Sequence, residues 1–392
     1  MKYIYTKVLS FILLLLLAAF ISCINKNNTI QTGKNFGGTL VPMKYAHGFR
    51  IYQKGDMRRI VILNPTDTSL VMGDFVVTRN HADVSKNIIT VPLKRIISLS
   101  STQLAYFIGL DATDNIVGIN SSEYLFNKKL KKRIKEGSVK RLGKEGNFDV
   151  EKIAGLNPDV VFVSPIKAGG YDALKSLGLQ LIPITAYDEN TPLARAEWIK
   201  LIAVFTGKEA QAEQMFKEIE AEYLKLKALA EGVKSRPTVF SGKMKDNSWY
   251  LPGGASFYSN YFRDAGADYI NKDSDIGGVT VDFETIYKQA AHSDFWRVRT
   301  SSENGYNSKM LVAENARYGY FDAFKKHKIL LVNIRETPYD EINPVCPHIM
   351  LADYISFFHP ELLPHHKRVF YRAIDDAPLE ESEIDDFFHL KK

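Results

Sequence analysis

The chain has 392 residues, with 51 lysines and arginines against 45 aspartates and glutamates, and a net charge of +6 at pH 7. A chain of this length can bury a large core and has room for two domains. Its small positive charge is spread out, and the densest basic run, KKLKKRIKEGSVKR, has the spacing of a solvated helix face, so we expect no nucleic-acid binding. Only two cysteines are present, which excludes a small disulfide-stabilised scaffold.

Residues 1–22 have the pattern of a secretory signal peptide. A basic start with Lys2 and Lys7 precedes an apolar run that is too short for a comfortable membrane-spanning helix. The run ends in FISC, which resembles a bacterial lipobox with Cys23 as the lipidated residue; the alternative is an ordinary signal peptide with an incidental cysteine. Residues 23–37 are polar and typical of a flexible tether. We therefore expect a lipid anchor that attaches the mature protein to a membrane without spanning it.

The next part of the chain changes from β-rich to alternating patterns. Residues 38–91 contain short β-like runs separated by turn formers, which predict a small β-rich extension. From residue 92 to 190, short apolar strands such as KRIISLS and DVVFVS alternate with short helical patterns. This alternation predicts a parallel α/β lobe.

A long helical stretch separates this lobe from a second one. Thr191 and Pro192 form a helix start, and an apolar stripe at spacings of three and four continues to about residue 232. This predicts a linking helix over 191–232, with Gly207 near the middle as the candidate point of division into two segments. The α/β pattern restarts over 233–392, so the predicted fold class is α/β, with two Rossmann-like lobes joined by a long helix.

One unit occurs twice, once in each lobe. The stretches FDVEKIAGLNPDVVFVS and VDFETIYKQAAHSDFW both carry a glutamate at the start of a helical pattern, Glu151 and Glu284. Both then reach an aspartate, Asp159 or Asp294, that opens an apolar strand. The repetition predicts a quasi-symmetric protein.

The region from about residue 92 to 370 resembles the helix-linked (class III) periplasmic binding proteins of ABC importers, the group that binds ferric siderophores, haem and cobalamin. The residues that carry the resemblance include RIISLSSTQLAYFIGL, VEKIAGLNPDVVFV, TPLARAEWIK and WYLPGGASFYSNYFRDAGADYI. WYLPGG, TPLARAEWIK and the β-rich extension resemble most the lipoprotein branch of Bacteroidota-type bacteria.

The resemblance implies that a cleft between the lobes binds the ligand. It also implies that Glu151 and Glu284 dock on arginines of a two-fold-symmetric ABC permease dimer, which works with ATPase subunits. The alternative is that both glutamates are ordinary solvent-facing helix residues. We further expect a monomer without a cofactor, lipid-anchored on the periplasmic side of a membrane.

The ligand that the resemblance implies is an iron(III)-siderophore complex. The loops before the two glutamates lack the tryptophans common in cobalamin binders of this fold, which disfavours cobalamin. Haem stays open because tyrosine, one of its axial ligands, is abundant. A binding site for such an anionic iron complex is expected to contain cationic side chains, hydroxyl groups and aromatic side chains.

Two loops of the first lobe supply candidate ligand-binding residues. Ser100, Ser101 and Thr102 follow the first strand, where hydroxyl groups and helix N–H groups suit an anion; simple N-capping is the alternative. Lys144, with Arg141 as a weaker choice, lies in a loop that reaches the cleft in related proteins.

The aromatic candidates are Tyr187 in the first lobe and the neighbours Trp249 and Tyr250 in the second, in a stretch whose turn formers predict a loop. Packing of this pair in the core is the alternative. The late loops add Tyr306, Arg335 and Tyr339, although Arg335 could instead pair with its neighbour Glu336.

Two other classes of function are less compatible with the sequence. An enzyme would need a nucleophile elbow, a P-loop or a zinc motif, and none occurs, so neither catalysis nor a metal site is expected. A surface-exposed capture lipoprotein often carries an acidic run after its lipidated cysteine, whereas INKNN follows Cys23 here.

Overall fold

The structure is a computed structural model that describes residues 36–80, 88–144, 146–164, 171–303, 305–378 and 380. The predicted signal peptide, Cys23 and most of the tether lie outside the described residues. In chain order, the described part forms an N-terminal sheet, a first α/β lobe, a helical linker and a second α/β lobe. The predicted α/β fold class is confirmed.

The N-terminal sheet has five strands that neighbour one another in chain order. They are β1 (Thr39–Val41), β2 (Phe49–Lys54), β3 (Met57–Asn64), β4 (Asp67–Thr78) and β5 (Ile88–Thr90). All neighbours are antiparallel except β4 and β5. Alternate side chains such as Phe49, Ile51, Ile60 and Ile62 face the first lobe and join its core.

Two buried glutamates attach this sheet to the rest of the protein, Glu189 at the end of the first lobe and Glu197 in the helix that follows it. The carboxylate of Glu197 accepts hydrogen bonds from the backbone N–H groups of residues 44, 45 and 46, at 2.7–3.0 Å. Glu189 Oε1 accepts from the N–H groups of residues 47 and 48, both at 2.8 Å, and from Trp198 Nε1 at 3.0 Å. The sheet is therefore an integral part of the first lobe.

The first lobe is built on a parallel sheet whose strands are mostly buried and apolar, as expected when helices cover both faces, except for the exposed edge strand β8. In spatial order the strands are β12 (Leu181–Pro183), β11 (Val160–Val163), β6 (Ile96–Ser98), β7 (Ile116–Ile119) and β8 (Lys140–Arg141). A small hairpin pairs β9 (Gly143–Lys144) with β10 (Asn147–Phe148). The helices are α1 (Ser101–Gly109), α2 (Lys128–Lys135), α3 (Val150–Gly155) and α4 (Asp172–Ser176).

Two helices, rather than one, form the linker. Helix α5 (Pro192–Thr206) ends at Gly207, whose φ of 70° is left-handed, and α6 (Glu209–Glu231) begins two residues later. The helices lie side by side, since Lys200 Nζ is 3.0 Å from a Glu213 carboxylate oxygen. Helix α6, roughly 35 Å long, reaches the second lobe. The chain thus reverses at Gly207, because a glycine adopts this conformation without strain.

The second lobe repeats the parallel arrangement and adds one antiparallel edge strand. In spatial order its strands are β16 (Asp268–Tyr269), β13 (Thr238–Ser241), β18 (Phe295–Thr300), β19 (Ile329–Asn333) and β20 (Arg372–Ala373). A second, antiparallel sheet consists of β14 (Met244–Lys245), β15 (Ser248–Pro252) and β17 (Gly278–Val281). The helices are α7 (Phe257–Asp264), α8 (Phe283–Ala290), α9 (Ser308–Glu314), α10 (Asp322–Lys325), α11 (Tyr339–Ile342) and α12 (Pro347–Phe358), the last of which packs on α6.

Candidate ligand-binding cleft

A cavity of about 230 Å³ lies between the two lobes. The first lobe lines it with residues that follow strands β6, β11 and β12, and the second with residues from α7, the end of β18 and the segment after β19. Ligands of open parallel sheets bind at these carboxyl ends of strands. The polar lining residues are Thr102, Gln103, Tyr106, Ser164, Tyr187, Arg195, Tyr258, Arg299, Tyr339, Asp340 and Asn343.

Arg195 contributes a positive charge from the first-lobe side. Its Nε donates to the carbonyl oxygen of Glu189 at 3.0 Å, and its guanidinium lies 3.4 Å from the centre of the Phe257 ring. Burial lowers the pKa of Arg195. No carboxylate among the described residues forms an ion pair with it, so its charge faces the cavity without an internal counterion.

Arg297 lies behind the opposite wall and is 4% exposed. It donates through Nε to the Tyr371 hydroxyl at 2.8 Å and through Nη1 to Ser241 Oγ at 3.2 Å, and it lies 3.9 Å from the Tyr258 ring centre. In the part of the chain that the structure describes, it too has no carboxylate partner, and its Nη2 has no hydrogen bond. A buried cation without a counterion strongly favours an incoming anion.

Arg299 and two tyrosines complete this side of the cavity. Arg299 lies 3.2 Å from Asp340, and the hydroxyl groups of Tyr258 and Tyr339 are 3.4 Å apart. Burial alone would raise the pKa of Tyr258, but Arg297 and Arg299 outweigh it and lower that pKa. Burial raises the pKa of Tyr339, so this second phenol stays protonated and can donate a hydrogen bond.

A larger chamber of about 620 Å³ adjoins this inner cavity and shares Tyr187, Arg195 and Tyr258 with it. Its other walls include Thr66 from the N-terminal sheet and Tyr250 from the second lobe. The cleft therefore has an inner and an outer chamber.

Three of the predicted ligand-binding residues lie in the cleft: Tyr187 in both chambers, Tyr339 in the inner and Tyr250 in the outer one. Ser100 and Ser101 do not line either chamber, but the next residue, Thr102, does. Ser100 precedes α1 without a side-chain capping bond, and its hydroxyl lies 2.9 Å from that of Thr102. That any of these residues contacts a ligand stays a prediction.

Lys144 and Arg335 share one partner, Glu123, and the pair of Glu123 with Arg335 connects the two lobes. Glu123 lies 2.8 Å from Lys144 Nζ through one carboxylate oxygen and 2.9 Å from an Arg335 nitrogen through the other. Neither cation lines a described chamber. Glu336, the alternative partner of Arg335, pairs instead with Arg372 at 2.9 Å.

Two predicted residues are buried in the second lobe, which corrects the expectation that they face the cleft. Trp249 is 0% exposed, packs against Phe240 and Trp296, and donates through Nε1 to a backbone carbonyl. Tyr306 is 1% exposed and donates to Glu314 at 2.7 Å. Both rings stabilise the core.

The sequence reasoning missed Arg195, Arg297, Arg299, Tyr258 and Tyr106. One signal was present, because β18 reads FWRVRT and places two arginines in a strand of buried neighbours. Arginine seldom occurs in a buried strand unless its charge is paired or the residue has a function. Arg195 gives no such signal, since an arginine in the first turns of a helix is usually solvated.

The duplicated unit has the same architecture in both lobes. Asp149 caps α3 and Asp282 caps α8, each accepting a bond from the backbone N–H three residues on, at 2.9 and 2.7 Å. Asp159 and Asp294 then accept bonds from backbone N–H groups at the start of β6 and β13, the first strands of their lobes' parallel sheets. The repeat therefore ties a short capped helix to each sheet.

Glu151 and Glu284 occupy the first turns of these two helices and are exposed. The two side chains differ in their partners. Glu284 forms an ion pair with Arg317 at 3.0 Å, whereas Glu151 has none among the described residues. The pair can thus present carboxylates to another protein, and one of them is already neutralised in part.

Two surveys of the described residues bear on other classes of protein. No group of three or more histidine, cysteine, aspartate or glutamate side chains there is arranged to hold a metal ion. No helix there is long and apolar enough to cross a membrane.

Comparison with known proteins agrees with this architecture. A family model described as "Periplasmic binding protein" matches residues 96–333. An uncharacterized lipoprotein of Methanocaldococcus jannaschii is 28% identical over 306 residues, covering 72% of this chain and 69% of the relative.

Two solved structures share the fold. A possible iron-binding (periplasmic solute-binding) protein from Staphylococcus epidermidis superposes with a TM-score of 0.54 at 18% identity, covering 69% of this chain and 100% of that one. A periplasmic heme-binding protein from Pseudomonas aeruginosa gives 0.57 at 16% identity, with 73% and 100% coverage. The chain therefore belongs to the periplasmic binding protein family, the solute-binding components of ABC-type transport.

Proposed function

We propose that this protein captures an anionic iron(III) complex of the siderophore type in the cleft and delivers it to an ABC permease. One observation carries the choice of ligand: Arg195 lines the inner cavity from the linker side, Arg297 lies behind Tyr258 in the opposite wall, and neither has a carboxylate partner among the described residues. An anionic ligand would supply the missing counterion to Arg195 and would offset part of the charge of Arg297 behind the wall. Charge-assisted hydrogen bonds of this kind are about twice as strong as neutral ones.

The tyrosines around these arginines suit the same ligand. Tyr106, Tyr187, Tyr258 and Tyr339 surround the inner cavity, where their rings can pack against an organic chelator. The hydroxyl groups of Tyr258 and Tyr339 can bond its oxygens, whereas that of Tyr106 donates to the carbonyl oxygen of Arg195. Haem is the second candidate, and the lowered pKa of Tyr258 favours it because a tyrosinate is an axial ligand of ferric haem. No comparable feature favours cobalamin.

Delivery would use the two exposed carboxylates. Glu151 and Glu284 lie in equivalent first turns of the two lobes, which suits one arginine on each subunit of a permease dimer. ATPase subunits would drive transport. Lipidation at Cys23 would anchor the protein on the periplasmic side of a membrane, in agreement with its lipoprotein relative.

Ligand binding is tested by calorimetric titration of the purified mature chain with a ferric catecholate, a ferric hydroxamate, haem and cobalamin. We expect a ferric siderophore to bind most tightly and Arg195→Gln to weaken it about 10- to 100-fold, since a hydrogen bond to a charged group contributes about 1.5–3 kcal/mol. Arg50→Gln, at an exposed position of β2, is the matched control and should bind like the wild type. Binding of cobalamin alone, or an unchanged affinity in Arg195→Gln, would refute the proposal.

Docking is tested separately by combining Glu151→Ala with Glu284→Ala. We expect uptake into cells or permease-containing vesicles to be lost while the dissociation constant of the ligand stays the same. Loss of ligand affinity instead would mean that the two carboxylates support the cleft and not the permease contact.

A further inference from the structure

The outer chamber of the cleft is walled in part by a region that the family match does not include. The match covers residues 96–333, whereas Thr66 lies in the turn between β3 and β4 of the N-terminal sheet. This turn has a defined shape, because the backbone N–H and the hydroxyl of Thr66 both donate to Asn64 Oδ1, at 2.9 and 2.8 Å. Together with the buried glutamates that attach the sheet to the first lobe, these bonds fix the turn beside the cleft.

The second lobe forms the opposite wall with exposed apolar side chains. Tyr250 is 55% exposed and Ile276 is 38% exposed, although both are large and apolar enough to favour burial. The Tyr250 hydroxyl donates to the carbonyl oxygen of Gly277 at 2.9 Å, which holds the ring in place. Because the same lining continues into the inner cavity through Tyr187 and Tyr258, a ligand that extends from the inner cavity into the outer chamber would cover these side chains.

The two chambers also differ in charge. The inner one is lined by Arg195 and Arg299, with Asp340 as its acidic residue, and Arg297 lies directly behind Tyr258. The outer one shares Arg195 at the junction and has Asp188 and the exposed Asp275 among its lining residues. Glu189 lines it as well, but its carboxylate is buried against the N-terminal sheet. The negative field of Asp275 is felt at Tyr250, whose pKa is raised by burial and then by this carboxylate. A further anionic group is therefore disfavoured in the outer chamber.

Size indicates that the inner chamber alone is not the whole site. Pockets for small molecules usually measure about 300–1,000 Å³. The inner chamber, at about 230 Å³, is below that range, and the outer one, at about 620 Å³, is well within it. A multidentate iron complex would fill both.

We propose that the outer chamber is a second binding subsite, which takes the uncharged or amine-bearing periphery of the iron complex, and that the N-terminal sheet sets ligand size and specificity through the turn at Thr66. This inference rests on the proposed function. It adds a specificity-determining element that lies outside the family-matched region.

The test uses Thr66→Trp, which fills the outer chamber from the sheet side, and Thr68→Trp as its control. Thr68 is the same residue type on the same hairpin, is exposed and lines neither chamber. Tyr250→Ala alters the opposite wall, and because this side chain is exposed the variant should fold even if Thr66→Trp does not. Thermal unfolding checks that each protein is folded.

Three probes are titrated calorimetrically, in the hydroxamate or the catecholate series, whichever the wild type binds. They are a compact iron(III) complex of simple monomeric chelators, a hexadentate iron(III) complex with a free primary amine, and the same complex with that amine succinylated to carry a carboxylate. We expect Thr66→Trp to weaken the hexadentate amine complex at least 10-fold and the compact one less than twofold. The wild type should bind the amine form at least 10-fold more tightly than the succinylated form.

The outcomes separate the two levels of the proposal. If the wild type binds hexadentate complexes but Thr66→Trp and Tyr250→Ala bind them equally well, the second subsite is refuted while the proposed function stands. Equal loss for the compact and hexadentate probes would also refute it, because a general distortion does not discriminate by size. If no iron complex binds the wild type, the proposed function fails and this inference fails with it.

Discussion

Glu341 of the second lobe makes a buried contact with the first lobe, and its removal should destabilise the protein in a pH-dependent way. The side chain is 1% exposed and accepts hydrogen bonds from the backbone N–H groups of Phe126, at 2.6 Å, and Asn127, at 2.9 Å. Burial raises the pKa of Glu341 to about 7, although these N–H groups and Lys131 on the facing helix oppose the change, and the neighbouring Asp340 adds to it.

The sign of the pH dependence follows from this raised pKa. Between the ordinary value of 4.5 and about 7, the folded state keeps the proton and the unfolded chain loses it. The contribution to stability is therefore full below pH 4.5 and is lost as the pH rises through about 7. The difference in pKa corresponds to roughly 3 kcal/mol of unfolding free energy, and roughly 2–3 kcal/mol of this is lost between pH 5 and pH 8.

Glu341→Ala removes this contribution and leaves two backbone donors unpaired, which costs about 1–3 kcal/mol for each group. We therefore expect the variant to be less stable than the wild type, with a difference in unfolding free energy that is roughly 2–3 kcal/mol larger at pH 5 than at pH 8. Urea unfolding at several pH values measures it, and taking the difference between the two proteins cancels the other titrating groups. Glu136→Ala, at an exposed position on the first lobe, is the control.

A difference that is constant across pH 5 to 8 would refute the raised pKa. A difference that grows with pH would mean that the Glu341 carboxylate is stabilised by its partners rather than disfavoured by burial.

Three further predictions concern other parts of the molecule. Glu197→Ala should lower the free energy of unfolding, measured with urea, by roughly 3–5 kcal/mol, because it removes the buried acceptor that attaches the N-terminal sheet. Glu213→Ala, on the exposed side of the same helix pair, is the control and should lower it by under about 1 kcal/mol. Arg317→Ala should release Glu284 from its ion pair, and the protein should then bind permease-containing vesicles a few-fold more tightly, since an exposed ion pair contributes about 0–1 kcal/mol. Weaker binding would show that the arginine itself contacts the permease. Trp249→Phe should lower the unfolding free energy by about 1–3 kcal/mol and leave the ligand dissociation constant within twofold, and a selective loss of affinity would contradict its core position.

Local sequence chemistry was a good guide where neighbours in the chain decide the structure. The prediction of a helix start at Thr191 and Pro192 is confirmed: the Thr191 hydroxyl accepts from the N–H of Ala194 at 3.3 Å, and Pro192 is the first helical residue. The sequence pattern could not decide whether the chain continues in the same direction after Gly207 or turns back, because the local backbone at a glycine allows both. Packing of the two helices against each other selects the reversal.

The pair Trp249 and Tyr250 shows why one predicted site residue was correctly placed and its neighbour was not. The turn formers around them predicted a loop, in which both rings could face the cleft. The structure forms β15 there instead, and adjacent residues of a strand point to opposite faces of the sheet. Trp249 therefore enters the core and Tyr250 faces the outer chamber.

By itself, the sequence determined the alternating α/β pattern, the β-rich extension, and the duplicated unit with its glutamates and strand-opening aspartates, because each depends on residues a few positions apart. Only the tertiary structure decided which charges meet in the cleft. Arg195, on the linker helix α5, and Arg299, near the end of β18, are about a hundred positions apart, and no local periodicity relates them. Their convergence on one cavity follows from how the two sheets and their linker pack, and that packing is set by burial of apolar surface across the whole chain.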